Sequence, residues 1–288
     1  MKKICVVAIL CDELPFIDEW LIYHRMIGID HFFLYDDDPS LPLKRFLKPH
    51  AAYVTVIPWY ERHGGLPGRN RQTKAYKHAV KECVNEFEWV AFIDGDEFIV
   101  LRKHETVREF LAGFKGYDSI SLNWHVFGHC GFFDDPPGLV TNYLNRRQAL
   151  PSRNVKSISR RDLIVDIDSA HFCRLSNGKR ADANGRSYND ALYPGKTDVA
   201  HINHYQCRSF ARWMNRVQRG DVTVDPVEKA TTDLWRISKE ENLKHFVREI
   251  ALDKNEFPDD YMKKHSDMIT GRLQLLERDQ SDCSYLLV

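Results

Sequence analysis

The sequence predicts an α/β protein built on an open, mostly parallel sheet flanked by helices. Three observations carry this. Apolar runs of strand length alternate with segments of helical periodicity through the first hundred residues. The first and fourth runs, Ile4 to Leu10 and Trp89 to Ile93, are apolar at every position, as strands covered on both faces are. Acidic residues follow the first, second and fourth runs, at the carboxyl ends where open parallel sheets bind their ligands.

The elements follow in order. Ile4 to Leu10 is the first strand. Met1-Lys2-Lys3 before it and Cys11 after it outline a lipoprotein signal. The apolar stretch is at the short limit for such a segment and Asp12-Glu13 follow at once, so it reads as a buried strand. Pro15 marks a helix start; Ile17, Trp20, Leu21, His24 and Ile27 recur at helical spacing, and Gly28 offers a C-cap. His31 to Tyr35 is the second strand, running into Asp36-Asp37-Asp38, and Leu41 to Leu47 is a short helix stopped before Pro49. Tyr53 to Ile57 is the third strand, and Gly64, Gly65, Pro67 and Gly68 mark a loop. Asn70 to Phe87 traces a helix with Ala75, Tyr76, Ala79, Val80, Cys83 and Val84 in its apolar stripe.

The fourth strand exits into Asp94-Gly95-Asp96-Glu97-Phe98. Beyond it the pattern loosens. Strands are expected at 118–122, 163–167 and 199–203, and helices at 208–220 and 239–251. The division expected is a domain over 1–225 with a helical C-terminal extension, 226–288, packed on it.

Lys plus Arg and Asp plus Glu each number 41, so a dedicated nucleic-acid binder, which needs a basic excess, is not expected. No run approaches the roughly 20 apolar residues of a membrane span. The seven cysteines are scattered and contain no Cys-x-x-Cys pair, which points to a reducing compartment. The expectation is a cytoplasmic protein. Peripheral contact with the inner membrane face would fall to the tail (Trp235 to Ile269), which has no clear basic face.

Asp94-Gly95-Asp96 is the sharpest chemical signal. Two carboxylates at the exit of a buried strand repel unless a cation or donors compensate, and a hard divalent ion held by few carboxylates and by phosphates suits them. A solvated turn is the plain alternative. A calcium loop is ruled out, because Phe98 and Ile99 stand where a ligand and a glycine are required. A haloacid-dehalogenase-type phosphohydrolase, with Asp94 as nucleophile, also places Asp-x-Asp after an apolar strand. Glu97-Phe98-Ile99 stands where such enzymes usually carry Thr or Val.

A longer ordered series runs around that motif. It comprises Ile4 to Leu10, Glu13, Glu19-Trp20, Tyr23-His24, Gly28, His31 to Asp37, Val54 to Trp59, Gln72 to Tyr76 and Trp89 to Phe98. It continues through Asn123-Trp124, Phe127-Gly128, Val155-Lys156, His171-Phe172, Asp182, Asn184-Gly185 and Ile202 to Tyr205. This series, over roughly residues 4 to 220, resembles the family 92 glycosyltransferases, GT-A-fold enzymes related to family 2.

The resemblance implies inverting transfer of a sugar from a nucleotide-diphosphate donor, a UDP-sugar being favoured, to a glycan or lipid-linked glycan acceptor. It also implies Mn²⁺, or Mg²⁺, on the diphosphate. Asp96 matches the direct metal ligand. Asp94 matches the residue at the ribose or at a metal-bound water, with Gly95 between them. His204 matches a further metal ligand. Glu13 and Asp37 fall where base and ribose bind, with a helix cap as the alternative for Glu13.

Gln72 and Lys74 would face the nucleotide, or form an exposed helix face. Lys156 would neutralise the diphosphate, or belong with Arg160 and Arg161 to a solvated basic strand. Arg216 and Arg219-Gly220 would close over the phosphates, or form helix-surface salt bridges. Asp182 is the candidate base, with Asp134 and Asp135 as rivals, and Asn123 and Trp124 are the candidate acceptor platform. A phosphohydrolase and a non-catalytic nucleotide-binding scaffold are the alternatives.

Overall fold

A computed structural model of the chain describes residues 3–38, 43–60, 71–138, 142–143, 145–146, 150–188, 192, 194–219 and 257–283. The elements begin with β1 (Ile4–Leu10), α1 (Ile17–Met26), β2 (His31–Asp36), α2 (Leu43–Phe46), β3 (Val54–Pro58), α3 (Arg71–His78) and β4 (Trp89–Phe92). They continue with β5 (Glu97–Leu101), α4 (Val107–Ala112), β6 (Ser119–Val126), β7 (Asn145–Arg146), β8 (Val155–Arg160), β9 (Ile164–Ile167) and β10 (Cys173–Leu175). The last are β11 (Arg180–Asp182), β12 (Ala200–His204), α5 (Phe210–Arg219), β13 (Phe257–Pro258) and α6 (Ser266–Cys283).

The main sheet is ordered β3-β2-β1-β4-β8-β6-β12-β5, with β11 also paired to β6. β3, β2, β1 and β4 are mutually parallel. β8 runs antiparallel to β4 and β6, β11 and β12 run parallel to β6, and β5 closes the edge antiparallel to β12. Only β8 and β5 oppose the common direction, so the sheet is open and mostly parallel, as expected.

The apolar character of β1 on both faces has a direct cause. Ile4, Val6, Ala8 and Leu10 join one core with Trp20 and Leu21 of α1. Cys5 and Val7 face the other core with Ala75 and Tyr76 of α3. Period-two alternation and a helix on each face leave no position for a polar side chain.

Three elements depart from expectation. Glu97–Leu101, read as the end of an acidic exit loop, is a wholly buried strand. β6 is longer than the expected 118–122 because β12 pairs with its far end, Trp124 to Val126. α4 begins at a capping box in which Thr106 and Glu109 satisfy each other's backbone N–H groups.

The C-terminal segment returns onto the same core. Met262 and Ile269 pack with Trp20 and Ile99, and Asp259 pairs with Arg102 at 2.7 Å and Arg146 at 3.4 Å. The expected boundary at 225, the helix at 239–251, the loop at 64–68, Gly220 and the side chains of Arg216 and Arg219 lie outside the described residues. Among the described residues no helix is long and apolar enough to cross a membrane.

Candidate active site

The carboxyl ends of β1, β2 and β4 lie side by side, and the segment after each carries acid: Asp12-Glu13, Asp37-Asp38 and Asp94-Gly95-Asp96. The turn after β4 is tight. Glu97 N–H donates to the Asp94 carbonyl at 3.1 Å, and Asp94 N–H donates to Glu97 Oε2 at 2.9 Å. A Cβ on Gly95 would sit 2.7 Å from Leu10 Cδ2 and 3.0 Å from Glu13 Cγ. Glycine is therefore what allows the turn to nest against the end of β1.

The two aspartates of this turn have different surroundings. Both oxygens of Asp94 are engaged by protein. Oδ1 accepts from Gln72 Nε2 at 2.5 Å and Tyr76 Oη at 3.2 Å, and Oδ2 accepts from Lys156 Nζ at 3.0 Å. Gln72 and Tyr76, four apart on α3, reach down one helix face to the same oxygen. Lys156 is 0% exposed and also lies 3.4 Å from Glu97 Oε2.

One ammonium thus balances two carboxyls. Burial would lower the Lys156 pKa, but Asp94 and Glu97 raise it overall. Burial pushes Glu97 up to about 7 despite Lys156. Glu97 Oε1 is buried without a hydrogen-bond partner among the described residues. In this structure Lys156 pairs with both carboxylates of the turn, and Gln72 holds Asp94.

Asp96 faces the other way. Its Oδ1 lies 3.5 Å from His204 Nε2, at the end of β12, and its carbonyl accepts from Tyr205 N–H at 2.9 Å. That Nε2 to Oδ1 separation is long for a hydrogen bond and near the ~3 Å between adjacent ligand atoms on one divalent ion. Burial works against a charged His204, yet the Asp96 charge beside it outweighs burial and raises its pKa. Trp124 packs on His204 with ring centroids 4.3 Å apart and on His171 at 5.1 Å. Among the described residues no group of three or more His, Cys, Asp or Glu is disposed to hold a metal. Asp96 and His204 are a two-ligand set, which suits an ion whose other ligands are substrate oxygens and water.

Glu13 closes the third side. Arg208 Nη2 donates to its Oε2 at 2.5 Å, and Arg212 bridges Asp12 at 2.9 Å and Asp135 at 2.5 Å. Burial raises the Glu13 pKa, with Arg208 opposing. Sequence reasoning passed over Arg208, Tyr76 and Glu97. Tyr76 read as core, Arg208 as the start of a helix and Glu97 as loop; the available signal was the i, i+4 spacing of Gln72 and Tyr76.

Other expected residues are placed differently. Asp37 is buried and paired with Arg71, and Lys74 is exposed. Asn123 is buried, its amide donating to the Ser152 carbonyl at 3.1 Å. Trp124 is 8% exposed, so it supports His204 rather than offering a face for stacking. Asp182 is 1% exposed, and its Oδ1 accepts from the backbone N–H groups of Asn184 and Arg186, both at 2.9 Å.

Those are the contacts of a turn residue, and the carboxylate is buried in this conformation. Asp182→Asn keeps an oxygen for both N–H groups. It should therefore fall well short of the roughly hundredfold or larger rate loss of a general base. Asp182→Ala should destabilise the fold by about 1–2 kcal/mol, read by urea unfolding. A hundredfold loss in the asparagine variant, at unchanged stability, would restore the residue as base.

The sequence pattern of Glycosyltransferase family 92 matches residues 4–233. The chain belongs to that family. A family 92 protein of Arabidopsis thaliana is 27% identical over 192 residues, covering 61% of this chain and 32% of its own length. One of Oryza sativa subsp. japonica is 29% identical over 186 residues, covering 62% and 30%. The chain thus spans about a third of the length of these curated relatives. Among solved structures, glucosyl-3-phosphoglycerate synthase from Mycobacterium tuberculosis in complex with phosphoglyceric acid is 15% identical. It covers 57% of this family 92 chain and 58% of its own, with a TM-score of 0.32, too low to carry an argument. The GT-A-type architecture rests on the family and on the strand order.

Proposed function

We propose that this chain transfers a sugar, with inversion, from a nucleoside-diphosphate donor to a glycan acceptor at the crevice bounded by Glu13, Asp94 and Asp96. The observation that carries the reading is the pairing of Asp96 with His204 at 3.5 Å, beside a turn whose other aspartate is already neutralised. These two residues fit a divalent ion, Mn²⁺ or Mg²⁺, and would hold it; imidazole favours manganese. When bound, the ion supplies Lewis-acid stabilisation of the departing diphosphate.

The chain's own groups have separable roles. Lys156, Gln72 and Tyr76 fix Asp94, whose partly exposed carboxylate (31%) can accept from a ribose hydroxyl. Gly95 allows Glu13 to approach the same sugar. Transfer breaks the bond between the anomeric carbon and the phosphate oxygen, whose electron pair leaves with the nucleoside diphosphate. The acceptor oxygen bonds to that carbon, and its proton passes to a general base.

The test is a thermal-shift and donor screen on the full chain. Mn²⁺ with UDP at about a hundredfold its Kd should raise the melting temperature by about 5 °C or more, and the true donor should release its nucleoside diphosphate when a glycan is supplied. Hydrolysis of an aryl phosphate, lost in Asp94→Asn, would replace this reading with a phosphohydrolase. Neither binding nor turnover, with any nucleoside diphosphate, would leave a scaffold.

A further inference from the structure

The loop between β12 and α5 carries Arg208, which the reaction above does not use. The residue is 4% exposed and sits among acids: Nη2 donates to Glu13 Oε2 at 2.5 Å, and the charges of Glu13, Asp96 and Asp135 all act on it. Phe16 lies beneath it, 4.8 Å from Cζ to the ring centroid. Nε is buried with no hydrogen-bond partner among the described residues.

Stability does not explain this arrangement. Desolvation offsets much of the attraction in a buried ion pair, and a buried N–H without an acceptor works against the fold. The backbone adds a further cost. Arg208 has φ +49° and Asp12 has φ +61°, left-handed conformations that residues with a Cβ rarely adopt. Arg212 holds Asp12 there by its carbonyl at 2.8 Å and its carboxylate at 2.9 Å. Left-handed backbone at Arg208 itself and at Asp12, the neighbour of its partner Glu13, is a mark of a functional site.

Electrostatics gives that site a ligand. Glu13, Asp94, Asp96 and Glu97 surround the crevice, and Lys156 is committed to Asp94 and Glu97. Even with a divalent ion on Asp96 and His204, these four carboxylates outnumber the positive charge, so an incoming diphosphate would meet net negative charge unless a further cation received it. Arg208 is that cation, with a planar fork of donors that matches phosphate oxygens and an Nε–H that no group among the described residues accepts.

We propose that Arg208 binds the diphosphate of the donor, with Glu13 as the counter-ion that orients its guanidinium. This rests on the reading above and adds a protein cation to the leaving-group site.

The experiment measures binding of UDP and of uridine to the full chain in the presence of Mn²⁺, by titration calorimetry. Arg208→Met should weaken UDP by about ten- to a hundredfold and leave uridine unchanged, because only the diphosphate meets the guanidinium. Arg208→Lys should fall between, keeping the charge and losing the fork; it carries the test if the methionine variant does not fold. Equal losses for UDP and uridine would make Arg208 a structural residue, and unchanged UDP affinity would overturn the proposal outright, with the glycosyltransferase reading intact in both cases. If the unaltered chain binds no nucleoside diphosphate, that reading fails and this one with it.

Discussion

On the proposed mechanism, Asp96→Asn should reduce sugar transfer by about a thousandfold or more in kcat/KM, since losing the proposed metal ligand removes several kcal/mol of leaving-group stabilisation. The substitution preserves shape. The backbone contact from Tyr205 N–H to the Asp96 carbonyl does not involve the side chain, so the melting temperature without ligand should barely move. What disappears is the charge opposite His204 Nε2, and with it the stabilisation by Mn²⁺ and UDP. His204→Gln should give a similar loss. The double variant should be little worse than either alone, because two groups that hold one ion do not act independently.

A pH dependence accompanies this. Asp96 holds the His204 pKa above the ordinary imidazole value against the effect of burial, and a protonated ring cannot ligate. Apparent metal affinity should therefore climb as pH rises through that titration. The measurements are initial rates and thermal shifts across a manganese series at several pH values. Wild-type kcat/KM in Asp96→Asn at saturating manganese would place the chemistry elsewhere.

The sequence made half of this site readable. Continuous apolar runs mark β1 and β4 because helices cover both faces of the sheet, and the topology then puts their carboxyl ends together. Asp94 and Asp96 stand out there because carboxylates at a buried strand's exit need a physical reason. His204 could be matched only through the resemblance, since it lies more than a hundred positions beyond the turn and nothing local distinguishes it from twelve other histidines.

Lys156 shows the limit most clearly. In Val155-Lys156-Ser157-Ile158 it looks like the polar position of a half-exposed strand. β8 instead lies between β4 and β6 in the middle of the sheet, a pairing across more than sixty residues that no local pattern encodes. Arg208 is hidden for a similar reason. Its guanidinium meets Glu13 across 195 positions, and its left-handed backbone carries no signature in the side chain.

Lys156→Met should destabilise the fold by about 3–5 kcal/mol, the usual effect of removing one partner from a buried charge cluster, against a total of about 5–15 kcal/mol for a typical protein. Methionine fills a similar volume, so the loss is electrostatic rather than a cavity. Glu97, 0% exposed, and Asp94 would have no other ammonium within reach among the described residues, and Gln72 and Tyr76 serve only Asp94. The deficit should depend on pH with a defined sign. Burial pushes Glu97 up to about 7 even with Lys156 present, and removing the ammonium raises it further. A carboxyl whose folded pKa exceeds its unfolded value favours folding at pH below the unfolded value and loses that contribution as pH rises through the folded one. The variant should thus be closest to wild type near pH 5 and weakest near pH 8, as urea unfolding at the two pH values would show. Adding Glu97→Gln should recover much of the loss, because the charge left unmatched is removed with its partner. A single variant as stable as wild type at pH 8 would mean that the ammonium is not what holds the turn, and that Asp94 keeps its place through α3 alone.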